Sequence, residues 1–144
     1  MTEGPALIDT NVVVSGILTA LAASPTARIL DGMLVGRFRF LLSVELLAEY
    51  REVLLRPEIR RRHRLSEAEV DTLLTDIAAN GVALDLRPSS TEGRRRGDGH
   101  LWHWQILAAV PSAILVTGDQ RLIDKPAEGS QVLTARAFAE RLGD

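Results

Sequence analysis

The sequence predicts an α/β fold in which helices cover a parallel sheet, and two observations carry that expectation. Short apolar runs alternate with longer stretches of helical periodicity along the whole chain. The 144 residues, 46% of them hydrophobic, are enough for one core, so residues 1–144 are read as a single domain.

Five runs read as strands: "PALI" (5–8), "RFRFLL" (37–42), "GVALDL" (81–86), "AILVT" (113–117) and "SQVLT" (130–134). The segment "VVVSGIL" after the first strand starts a helix that covers the sheet. "SPTARILDGMLVG" (24–36) opens on a serine cap and ends at a glycine. "SVELLAEYREVLLRP" (43–57) sets Leu46, Leu47, Tyr50, Val53 and Leu54 at helical spacing and stops before Pro57. "SEAEVDTLLTDIAANG" (66–81) begins with a Ser66–Glu69 capping box and closes on Asn80-Gly81. "HLWHWQILAAV" (100–110) is apolar nearly all round, as in a buried helix, and "TARAFAERLG" (134–143) is a short capped helix. The one loose-looking segment is 87–99.

Composition narrows the chemistry. The charged fraction of 25% and the formal net charge of −2 exclude a strongly basic coat, so any nucleic-acid site must be a local patch. The chain has no cysteine, which leaves oxygen and imidazole as metal ligands and suits a reducing cytoplasm. No run approaches a membrane span, and the start lacks the pattern of a signal peptide, so a cytoplasmic protein without membrane attachment is expected.

In a parallel α/β sheet ligands bind outside the carboxyl ends of the strands, where "ALID" and "ILVTGD" each put an aspartate, Asp9 and Asp119. Carboxylates brought together repel unless a cation lies between them. With no thiolate and three histidines, the natural cation is Mg²⁺ or Mn²⁺, working on a phosphate ester. Glu45 and Glu49 share a helix face, and Glu49 falls among the inward residues Leu46, Tyr50 and Val53. Asp98 precedes the 100–110 helix, where it can cap the helix, ligate a metal, or both. His63, His100 and His103 are candidates for acid or base because imidazole is the side chain suited to proton transfer near neutral pH; of these His100, two residues beyond Asp98, is expected near the site. Five arginines within 56–64, and Arg94, Arg95 and Arg96 just before Asp98, offer local positive charge for an RNA backbone or else a solvated face.

The motifs "LIDTNVVVSGIL", "LLSVELLAEYREVLLRP", "GDGHLWHW", "AILVTGDQRLI" and "VLTARAFAERL" resemble the PIN-domain family, in the VapC-like branch of toxins from toxin-antitoxin pairs. The resemblance runs over essentially the whole chain. It implies a three-layer α/β/α sandwich with a five-stranded parallel sheet, and a metal-dependent ribonuclease site of acids. The family's acids fall on Asp9 within "DTN", Glu49, Asp98 and Asp119 within "TGD", with Thr10, Asn11 and Thr117 in support. It further implies an RNA substrate, Mg²⁺ or Mn²⁺, a small antitoxin partner and a homodimer. The rival reading is a catalytically weak PIN-like module that binds a protein or RNA. A dinucleotide-binding domain is excluded for want of a glycine fingerprint after the first strand, and no covalent nucleophile is evident.

Overall fold

The computed structural model describes residues 4–84, 106–126 and 130–143. The chain begins with β1 (Ala6–Ile8) and passes through α1 (Thr10–Leu18) and α2 (Pro25–Val35) to β2 (Leu41–Leu42). Three helices follow, α3 (Val44–Leu54), α4 (Pro57–His63) and α5 (Glu67–Asn80), and lead into β3 (Val82–Ala83). Residues 106–109 are helical. Beyond them lie β4 (Ile114–Val116), α6 (Gln120–Asp124), β5 (Gln131–Leu133) and α7 (Ala135–Leu142).

All strand pairs are parallel. A three-stranded sheet has the order β1-β4-β5 and a two-stranded one pairs β2 with β3. A parallel bridge between Ala6 and Phe40 joins the two, backed by the Ala6 N–H donating to the Arg39 carbonyl at 2.9 Å. The joined order is therefore β3-β2-β1-β4-β5, the α/β architecture expected, with β2 and β3 shorter than the apolar runs that contain them. The chain builds outward from β1 through β2 to β3, then restarts on its other side with β4 and β5. The carboxyl ends of β1 and β4 thus flank the point where strand order reverses, the standard position for a ligand crevice in such sheets.

The helices begin where short polar side chains cap their free N–H groups. Ser24, Ser43, Ser66 and Thr134 each accept from the backbone N–H three residues on, and Ser66 with Glu69 completes a capping box. Gly36 ends α2 in the left-handed conformation at φ 69°. Leu7, Ile8, Phe40, Leu41, Leu115 and Ile77 are fully buried in the core between strands and helices. The α1–α2 contact is close because of Gly16: a Cβ there would stand 2.7 Å from the Thr26 carbonyl oxygen. At the far end Phe38 sits edge-on to Phe138 of α7 at 5.0 Å between ring centres. Arg28 and Arg37 donate to the last carbonyls of α7, where cations complement the helix dipole.

Two helices were not expected from the sequence. Pro57, read as the stop of α3, is also the first residue of α4, since a missing N–H costs nothing at that position. The second is α6, started by the Asp119 carboxylate accepting from Arg121 N–H at 3.0 Å. Among the described residues no helix is long and apolar enough to cross a membrane.

Candidate active site at the carboxyl ends of β1 and β4

Strand β1 ends by delivering Asp9 into the protein at 4% exposure. Its N–H donates to the Val116 carbonyl at 2.9 Å, which holds the ends of β1 and β4 together. A buried carboxylate must be satisfied, and this one draws on neighbours from both strand ends. Oδ1 accepts from the Thr10 N–H at 2.8 Å, which caps α1. Oδ2 accepts from Asn11 Nδ2 at 3.1 Å and from the Thr117 hydroxyl at 2.6 Å.

Thr117 is wholly buried and links the two aspartates, because its hydroxyl oxygen also accepts the Asp119 N–H at 3.0 Å. Asn11 closes the same loop from the other side, its Oδ1 accepting the Gly118 N–H at 2.9 Å. The tripeptide "DTN" and the turn "TGD" thus form one network. Asp119 caps α6 and pairs with Arg121 at 3.2 Å, its side chain 16% exposed against 83% for the arginine.

Helix α3 brings the third acid. Ser43 starts that helix, and burial of Leu46, Tyr50 and Leu54 sets its inward face. Glu49, on the flank of that face, accepts a short hydrogen bond from the Thr10 hydroxyl. Asp9 and Glu49 are therefore joined through one residue, Thr10, whose N–H serves the first and whose hydroxyl serves the second. Tyr50 donates to the Ile8 carbonyl at 2.5 Å, tying α3 to the end of β1. Burial, then the charges of Asp9 and Glu49, hold its hydroxyl well above the ordinary tyrosine value, so it remains a donor.

Asp9, Thr10, Asn11 and Glu49 open into a cavity of about 940 Å³ that extends between α1, α3 and α4. Asp119 is not among its lining residues, and neither is Glu45. The donor set facing the cavity is of carboxylate, hydroxyl and amide groups, chemistry that fits a hard divalent cation. Among the described residues no three carboxylates or imidazoles gather closely enough to hold a metal ion. Asp98, Arg94, Arg95, Arg96, His100 and His103 lie outside the described residues. His63 is inside them and away from the acids: its Nδ1 accepts the Leu65 N–H at 2.9 Å and its Nε2 faces the Leu54 carbonyl at 2.8 Å, pinning α4 to α3.

Residues 5–121 match the family model described as the PIN domain. The chain belongs to the PIN-domain family. PIN domains carry a nuclease-type fold, so the class of substrate is nucleic acid and the class of reaction is hydrolysis. Comparison with curated proteins and with solved structures found no match. In this PIN domain the sequence singled out Asp9, Glu49 and Asp119; the first two share the cavity and the third is joined to Asp9 through Thr117. Sequence reasoning did not find the clamp role of Tyr50 or the place of α4 in the cavity wall. Tyr50, directly after Glu49, reads in the sequence as an inward core residue, and Pro57 reads only as a stop.

Proposed function

We propose that the chain is a divalent-metal-dependent endoribonuclease, with Asp9, Glu49, Asp98 and Asp119 as its acids and Mg²⁺ or Mn²⁺ as the metal. The observation that carries the reading is the buried Asp9, oriented by Thr10, Asn11 and Thr117 and coupled through Thr10 to Glu49 in a large cavity at the sheet's reversal point. A carboxylate that serves only as a helix cap needs one donor; Asp9 accepts from at least three, two of them the side chains of Asn11 and Thr117.

Asp9, Glu49, Asp119 and Asp98 would hold the cation. When bound, it supplies activation of water and neutralisation of phosphate charge for in-line attack on a phosphodiester. The chain's own part is orientation. Thr117 and Asn11 fix the Asp9 carboxylate, Thr10 fixes Glu49, and Tyr50 ties α3 to the end of β1 that carries Asp9. The Arg94, Arg95 and Arg96 run is proposed to meet the RNA backbone. The biological role proposed is that of a toxin neutralised by a small antitoxin, acting in the cytoplasm as a homodimer.

Purified protein should cleave single-stranded RNA with added Mg²⁺ or Mn²⁺ and lose that activity in excess EDTA. Asp9→Asn, checked for folding by circular dichroism, should be inactive. Full activity in EDTA or in the Asn variant overturns the assignment. Harmless induced expression overturns the toxin role alone, and a monomeric mass at high concentration in light scattering overturns the dimer.

A further inference from the structure

We propose that the cavity between α1, α3 and α4 seats the RNA strand next to the cleaved phosphate, with Arg56 and Arg62 holding its backbone. The proposal rests on the ribonuclease reading above and assigns its substrate path.

The geometry sorts the arginine run. Of the five arginines in 56–64, only Arg56 and Arg62 line the cavity that also contains Asp9 and Glu49. Arg60 turns its Nε to the Leu65 carbonyl at 3.5 Å, and Arg61 stays outside. Arg51 on α3 is already committed to Asp71 and Glu67 at 2.7 and 2.6 Å. Arg62 has no hydrogen-bond or ion-pair partner among the described residues, and Arg56 has only a long 3.7 Å pairing with Glu52.

Charge gives these two a task. Asp9, Glu49 and Glu52 present carboxylates to the cavity, which repel a polyanion, and the arginines supply the compensating attraction. Guanidinium is suited to this because its planar fork meets phosphate oxygens in pairs. Seven residues separate Glu49 from Arg56, about 10 Å along the helix direction, so an extended strand leaving the acids reaches the arginines directly. Between them Val14, Leu18, Val53 and Ile59 offer aliphatic carbon, against which a base packs without hydrogen-bond readout. The path is thus expected to tolerate any base. The placement of α4 is secured separately: Arg56 is extended at φ −61°, ψ 136°, Pro57 starts the helix, and His63 pins its end to α3.

The test is fluorescence anisotropy with a labelled oligouridylate in EDTA, where binding is read without cleavage. The double variant Arg56→Ala/Arg62→Ala should bind about tenfold more weakly, a loss of about 1.4 kcal/mol. The slope of log affinity against log salt should flatten by about 1.4, two single-strand phosphate contacts' worth. Arg61→Ala, the same charge change one position away, should bind within about twofold of the parent, a margin well inside one phosphate contact. Wild-type affinity in the double variant overturns the proposal. Equal losses in Arg61→Ala and Arg62→Ala also overturn it, since they mean diffuse attraction. Failure is separable from that of the nuclease reading: if Asp9→Asn abolishes cleavage while the double variant binds normally, only the path falls. If Asp9→Asn still cleaves while the double variant loses affinity, the path stands and the acid assignment falls.

Discussion

Thr117→Val is the sharpest perturbation of the site, because it removes one oxygen and almost no volume. The hydroxyl gives a 2.6 Å bond to the Asp9 carboxylate and takes a 3.0 Å bond from the Asp119 N–H, while the Asn11 contact at 3.5 Å is too long to count for much. A bond to a charged group contributes about 1.5–3 kcal/mol and a neutral one about 1. Thr117 is fully buried, so water cannot replace either bond. The loss should be about 2.5–4 kcal/mol, with no cavity term because valine fills the same space. With a urea slope of about 2 kcal/mol per molar, the unfolding midpoint falls by about 1–2 M. Thr117→Ser keeps the oxygen and loses one methyl, about 0.8 kcal/mol. RNA cleavage should fall in the valine variant and persist in the serine one, since only the former removes the Thr117 bond that helps to orient the Asp9 carboxylate. A valine variant within 0.5 kcal/mol (about the scatter of a neutral surface change) of the parent refutes the reasoning, as does a serine variant that loses as much as the valine one.

Gly16→Ala should destabilise although alanine favours helices by about 1 kcal/mol. The new Cβ meets the Thr26 backbone oxygen at 2.7 Å and Leu30 Cβ at 3.0 Å, so α1 must part from α2; a net loss of about 1–3 kcal/mol is expected as a lower melting temperature. Tyr50→Phe strips the Ile8 carbonyl of its 2.5 Å donor and should cost about 1–2 kcal/mol in urea unfolding, with slower RNA cleavage as the end of β1 loosens. Arg28→Ala should speed hydrogen exchange across 135–142, because Arg28 bonds the Ala139 and Gly143 carbonyls that end α7. Acid should weaken the fold through Glu69 and Asp71, whose carboxyls are held below their ordinary values by bonds from Ser66 and Arg51 respectively. Both bind fewer protons folded than unfolded, so their contribution is present above about pH 4 and is lost as the pH falls further. Glu69→Gln/Asp71→Asn should flatten that acid limb in a stability-against-pH series.

The fold was legible because periodicity and capping agreed at nearly every element. Ser66 and Glu69 named the start of α5 outright, and both halves of that box are formed. Asp9 and Asp119 were legible for a different reason: an acid at or just beyond the end of a buried apolar run is costly unless the fold uses it, and Asp9 follows β1 directly while Asp119 comes three residues after β4, both beside the reversal point. Glu49 was legible only by helical phase, from its place among Leu46, Tyr50 and Val53. What periodicity could not supply was connectivity between side chains. That Thr10 serves Asp9 with its N–H and Glu49 with its hydroxyl depends on β1 and α3 meeting across 39 residues, which no local pattern encodes.

Helix α4 marks the same limit more sharply, and it governs the reading of charge. "RPEIRRRHR" has too few apolar residues to register as amphipathic, its one clear anchor being Ile59, so its sequence looks like a solvated link. The helix forms because Pro57 presets its first turn, because His63 pins its end to α3 and because Ile59 packs against the core. Once it is a helix, 100° per residue separates Arg62 from Arg60 and Arg61, and Arg62 joins the N-cap residue Arg56 in the wall of the cavity that holds Asp9 and Glu49. A charge run read as a string predicts attraction without direction. Read on a helix pinned beside Glu49, it predicts which two substitutions change the salt dependence of RNA binding and which neighbour does not.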